Sequence, residues 1–287
     1  MVGIKSKTME AKSWRHHYIQ QFLINGFVNS KNKIYVYDKN KDEIFSDEKV
    51  SKSILFEKHK NTIFFDNNTS TSIIEDLLFK KLDNEFSILI KYLQTVDSTK
   101  SNIFEGKKTS DFLMFIVNLF WRIPYTDEIS KNIIENAIAK LDNYSELKNN
   151  DSFMKQQRTL LYRNTLKNPE NLKRKKIGCF TRLFEIENNM LLIGDNPIVY
   201  NENPNTFDDL VDLDFCIAIS SNRLVMNSLI EVKEFGLNKR MNYNYAVLNQ
   251  SERYVCSGDK NLLDASVKYY KNVKDLEMNN EFIKNIF

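Results

Sequence analysis

Cys179–Ile186 (CFTRLFEI), Met190–Tyr200 (MLLIGDNPIVY) and Asp214–Ser220 (DFCIAIS) are short β-rich runs separated by turn-forming residues. They predict one antiparallel sheet, with Arg223–Ile230 (RLVMNSLI) as a further strand. Upstream the texture differs. From Ser70 to Val96 the apolar residues Ile73, Leu77, Phe86, Ile90 and Leu93 recur at helical spacing, which predicts a long amphipathic helix. Ser70 or Ser72 would cap it, with Glu75 or Asp76 in its first turn. Ser110–Trp121 is apolar almost all round and belongs at the centre of the core, with Arg122 at its exit and Pro124 marking its end. Asp127–Leu147 and Ser152–Leu166 predict further helices.

Outward from these, Trp14–Phe27 (WRHHYIQQFLINGF) reads as a short helix, and KIYVYDKNKDEIFS as a hairpin around Asp38–Asn40. Leu237–Cys256 predicts a helix with Leu237, Met241, Tyr245 and Leu248 on its apolar face, and Leu262–Phe287 closes the chain helically. Strands and helices are grouped rather than alternated, so the fold class is α+β. Its parts are a mainly helical N-terminal region with a small hairpin, an antiparallel sheet in the C-terminal half, and closing helices. Residues 1–287 are expected to form a single domain, or two intimately packed parts: 1–170 mainly helical, 171–287 sheet plus helices.

The 287 residues include only 7 Gly and 4 Pro, which excludes a linker-rich or collagen-like chain. No apolar run reaches the roughly 18 residues of a membrane span, so no membrane association is expected. Met1–Trp14 lacks a signal-peptide core. Cys179, Cys216 and Cys256 are odd in number and sit in apolar segments, in keeping with buried thiols and a cytoplasmic location. The net charge of +3 gives no global attraction to nucleic acid. Locally, residues 155–182 carry nine Lys or Arg and one acid, and 183–216 carry eight Asp or Glu and no Lys or Arg. The blocks either face each other or solvent, or the first forms a basic contact surface centred on Lys173, Arg174, Lys175 and Lys176.

Three spots could carry chemistry. His16 and His17 follow Arg15; a helix would put His16 above Gln20 and His17 above Gln21, where an imidazole could act as general acid or base. His59, in a Lys-flanked loop, is expected in solvent. Gly194-Asp195-Asn196-Pro197 is a strong turn former, and its carboxylate and amide also suit a fixed acid or metal ligand. Arg122 leaves a greasy segment and needs an anion, for which Asp195 is a candidate. Phosphate loops, nucleophile elbows, HExxH and CxxC pairs are missing.

Taken in order, HHYIQQFLINGF, IYVYD, IIEDLLFKKLDNEF, FIVNLFWRIPYTDE, LLIGDNPIVY and NYAVLNQSERYVCS resemble the bacterial domain-of-unknown-function family 4238. Its members open with an HHYxPQFxL-like motif, then carry RxP after a buried helix and an SDNP-like turn. The resemblance emphasises His16, His17, Gln21, Arg122, Pro124, Asp195, Asn196 and Pro197, with Asn244 as a looser addition. It implies no activity. Two positions depart from the pattern: Gln20 replaces a proline, and Gly194 a Ser or Thr.

Two function classes follow. In the first the chain is a hydrolase acting on a phosphodiester or nucleotide, nuclease-like and by analogy a defence protein. His16 and His17 would exchange protons, Asp195 would orient them or bind a divalent metal, and Arg122, Gln21, Asn196 and Lys173–Lys176 would hold nucleic acid or nucleotide. In the second it is a non-catalytic sensor or protein-interaction module whose polar cluster is a buried network. Cofactor and oligomeric state are left open by the residues.

Overall fold

Arg15–His17 is a strand, β1, followed by a single helical turn, α1 (Gln21–Ile24), and a 3₁₀ turn at Asn25–Phe27. The expected helix over Trp14–Phe27 is therefore cut short, and the histidines lie on extended backbone. The computed structural model describes residues 14–64, 70–167, 180–204, 209–276 and 278–287. Lys173–Lys176 and Cys179 lie outside the described residues.

The hairpin forms as β2 (Tyr35–Asp38) and β3 (Glu43–Ile44), with Asp42 in the left-handed region at φ 54° and accepting the Tyr37 hydroxyl at 2.7 Å. β4 (Phe56–Lys58) pairs with β1, and β5 (Ile63–Phe64) pairs with β6 (Ser70–Thr71). Ser70 is thus a strand residue. The long helix starts only at Ile74, with a π-helical turn to Phe79 that runs into α2 (Lys80–Thr95), and no hydroxyl caps it. Ser72 instead hydrogen-bonds the Asp76 side chain.

The apolar helix is α3 (Lys107–Arg122), buried from Phe115 through Arg122. Ile123 stops it, and Pro124 starts α4 (Tyr125–Ile138), where a missing N–H costs nothing. α5 (Tyr144–Asn149) and α6 (Asp151–Lys167) follow, then β7 (Phe180–Glu185), β8 (Ile193–Gly194), β9 (Val199–Tyr200) and α7 (Asp209–Asp212). β10 (Phe215–Ser220) and β11 (Arg223–Ser228) are buried along their whole length. The chain ends with α8 (Leu237–Gln250), β12 (Tyr254–Ser257), α9 (Lys260–Val273) and α10 (Asn279–Lys284).

Two four-stranded antiparallel sheets result, ordered β7-β11-β10-β9 and β3-β2-β12-β8. The single sheet expected from residues 179–230 is corrected here. Its MLLIGDNPIVY run is divided, with β8 on the hairpin sheet and β9 on the other, and the Asp195–Pro197 turn carries the chain between them. The helix expected over 237–256 is corrected as well. It ends at Gln250, and Val255 and Cys256 lie in a strand pairing Tyr37 and Val36 on one side and Gly194 and Ile193 on the other. α8 buries Asn242–Leu248, while Leu237 and Met241 are exposed.

One cluster of buried side chains takes in residues from both sheets and from α2, α3 and α8. Phe112 of α3 stacks on Phe215 of β10, with ring centroids 6.4 Å apart and planes at 24°. Beside this contact a Cβ on Gly26 would meet the Ile219 carbonyl oxygen at 2.5 Å, so only glycine lets the Asn25–Phe27 turn approach β10. Cys216 and Cys256 are free and buried. Among the described residues no helix is long and apolar enough to cross a membrane.

Candidate functional site

His16 is buried on β1, opposite Glu57 of β4. Its Nδ1 accepts the Asn61 N–H at 2.8 Å and lies 3.7 Å from a Glu75 carboxylate oxygen. His17 points the other way, as alternate strand residues must. It is half-buried, tilted against Phe56, with Nδ1 3.4 Å from the Gln21 amide nitrogen. The contact expected between His17 and Gln21 therefore forms, but across a strand-to-helix corner. Its Nε2 is sealed from solvent without a hydrogen bond of good geometry. Burial first, and then the Arg122 charge, push the ring down to about 4, against the pull of the Ser51 and Lys52 backbone. His59, expected in solvent, is half-buried and edge-on to Phe64.

The His17 ring predicts a pH effect on stability. It takes up its proton near 6.5 when unfolded and near 4 when folded, so within that window the unfolded chain binds more protons. Stability is complete above the upper value and is lost as pH falls toward the lower one. Allowing for partial exposure, we expect a loss of about 2 kcal/mol. Urea unfolding of the parent and His17→Gln at about pH 4.5 and 7.5 measures it. The same acid loss in both proteins would count against it.

The anion that Arg122 requires is Asp83, not Asp195. Arg122 is 4% exposed; its Nη1 donates to Asp83 Oδ1 at 2.6 Å and its Nη2 to the His17 carbonyl at 2.8 Å. The guanidinium also lies 4.4 Å over the Phe79 ring. Burial pushes the Asp83 carboxyl up, opposed by Arg122 and by a hydrogen bond from Gln20. Gln20 also donates to Asn118 Oδ1 at 3.0 Å, and the Asn118 amide reaches the Tyr162 hydroxyl. The proline departure is thereby explained. Gln20 has φ −63°, the angle a proline ring would impose, and its amide joins a buried network that proline could not enter.

Asp195 serves another centre. Its carboxylate accepts the N–H groups of Glu252 (2.8 Å), Arg253 (2.7 Å) and Tyr254 (2.8 Å), the corner between α8 and β12. Burial pushes this carboxyl up, and the three donors oppose the shift. From the hairpin, Asp38 holds the Arg253 guanidinium at 3.0 Å, and Lys39 Nζ donates to the carbonyls of Leu248, Asn249 and Ser251. A cation on the last carbonyls of a helix satisfies orphan acceptors and meets the negative end of the dipole. Residue patterning did not single out Asp38, Lys39 or Arg253. The scarcity of Arg was the available signal for Arg253.

At Gly194 a Cβ would lie 2.0 Å from Ser251 Oγ, so a side chain there would collide with this corner. The hydroxyl absent at 194 has a counterpart on the neighbouring segment. Asn244 has a similar pinning role: its amide accepts the Leu192 N–H at 3.0 Å and donates to the Met190 carbonyl at 2.9 Å. Tyr18, third in HHY, stands between the two centres. Burial first, and then the Asp195 charge, push its phenol far up.

Asn196 faces outward into a cleft of about 570 Å³ that Phe120, Tyr125, Tyr200 and Gln250 also line. Among the described residues no three His, Cys, Asp or Glu side chains are grouped to hold a metal ion. Of the charge blocks, Lys155 pairs with Asp151, Arg158 with Asp127, and Glu185 with Arg223. These members find partners outside the opposite block.

A family model described as "Protein of unknown function (DUF4238)" matches residues 15–261. No curated protein and no solved structure matches. The matched span contains β1, Arg122, the Asp195 turn and the α8–β12 corner.

Proposed function

Because the chain belongs to the DUF4238 family of proteins of unknown function, we propose from its own geometry that it is a non-catalytic sensor or protein-interaction module whose polar motifs fix the fold. One observation carries this: the Asp195 carboxylate is occupied by three backbone N–H groups. A carboxylate so engaged has little capacity left to orient an imidazole or hold a metal. Arg122 is likewise committed to Asp83 and to the His17 carbonyl. Buried thiols at Cys216 and Cys256 are in keeping with a cytoplasmic setting.

A second class, hydrolysis of a phosphodiester or nucleotide, is favoured by His17 alone. Its ring is held neutral, the form a general base needs, beside a guanidinium. In that case the basic block with Lys173–Lys176 would meet the nucleic acid.

Incubation of the purified chain with RNA, single- and double-stranded DNA and nucleotides, with and without Mg²⁺ or Mn²⁺, separates the two. No turnover is expected. Turnover that disappears in His17→Gln while circular dichroism stays unchanged would overturn the non-catalytic assignment.

A further inference from the structure

The cleft outside Asn196 has an unusual chemistry. Its walls come from the Asn196–Ile198 turn, the stretch following β9, the end of α8, and α10, with Phe120 and Tyr125 contributed by α3 and α4. Seven of its fifteen lining residues are Asn or Gln, and only Glu202 and Lys284 carry charge. Its volume, about 570 Å³, lies in the range of small-molecule sites, roughly 300–1,000 Å³.

Asn196, 8% exposed, lies in the cleft wall. Asn201, also in the wall, keeps its Oδ1 sealed from solvent and without a partner. The frame behind them is firm, since Gln250 Nε2 ties the carbonyls of Asn196 (2.6 Å) and Ile198 (3.0 Å) to the end of α8.

We infer that this cleft is a saccharide site. Each carboxamide offers a donor and an acceptor side by side, the complement of neighbouring hydroxyls. A phosphate or carboxylate ligand would meet one exposed lysine against an exposed glutamate, a poor anion site. A nucleobase is best held between two open ring faces. The Phe120 and Tyr200 rings are instead buried edge-to-face against each other, with centroids 6.5 Å apart at 89°. Half-buried Tyr125 leaves an apolar surface suited to the C–H face of a sugar.

A saccharide site does not depend on the absence of turnover, so binding here and the hydrolysis assay above can fail separately. The test is saturation-transfer NMR and calorimetry on the full chain with glucose, maltose, N-acetylglucosamine and N,N′-diacetylchitobiose, and with adenosine for comparison. At least one saccharide should bind saturably. Asn196→Ala should weaken that binding about tenfold, and Asn203→Ala, at an exposed position that leaves the fold alone, several-fold. No saturable saccharide binding up to about 10 mM, affinity unchanged in Asn203→Ala, or adenosine binding alone would each overturn the inference.

Discussion

Arg122→Met is expected to destabilise the protein by about 3–4 kcal/mol, lowering the melting temperature by on the order of 10 °C. The substitution keeps much of the apolar stem but strands the Asp83 carboxylate, which burial already pushes up. It also frees the His17 carbonyl that fixes β1 against α3. The ion pair itself stabilises little, because the buried guanidinium lost its water to form it while half-buried Asp83 keeps part of its own. The cost lies in breaking one side only. Asp83→Leu combined with Arg122→Met should therefore recover a large part of the loss, and urea unfolding of the four proteins of this cycle measures the coupling. If Arg122→Met alone were as stable as the parent, the buried pair would have no part in holding the histidine strand.

The second large effect concerns Asp195. Asp195→Ala leaves three N–H groups at the α8–β12 corner without their acceptor, at a cost of about 3 kcal/mol. Glu252 and Arg253 are exposed, so water replaces part of what is lost, and a larger figure is not expected. Asp195→Asn keeps one acceptor oxygen but sets an NH₂ against a backbone donor, and should cost about 1–2 kcal/mol. Amide hydrogen exchange resolves the location: protection at Arg253 and Tyr254 should fall first, followed by β12. Unchanged exchange in Asp195→Ala would mean that Lys39 and Asp38 hold the corner by themselves.

These two centres explain why residues far apart in the chain make up one ordered pattern of motifs. HHY and RxP meet through the His17 carbonyl and Arg122. The hairpin, the Asp195 turn and the SERY stretch meet at the α8–β12 corner. Tyr18 lies between them. Each centre holds a strand against a helix by side-chain hydrogen bonds to backbone. Such bonds also fix strand register, which apolar contacts alone would leave freer to slip.

Elements whose pattern is local were legible from residues alone. The apolar run of α3 and the three-and-four spacing of α2 each state their own burial, the hairpin shows as β-prone residues around a turn, and with the grouping of strands these determined the α+β class. The polar residues at the ends of apolar elements could be picked out because a buried charge or amide must have a partner. Which partner it has was beyond sequence. Arg122 found Asp83 because α2 lies alongside α3, a consequence of packing with no trace in local spacing. The fates of β8 and β12 were decided in the same way. Two- and four-residue strands carry too little periodicity to announce a sheet, and they form only where tertiary contacts present a waiting edge. The amide-lined cleft is the extreme case, since its walls come from four separate stretches of chain and only the folded chain sets their amides around one space.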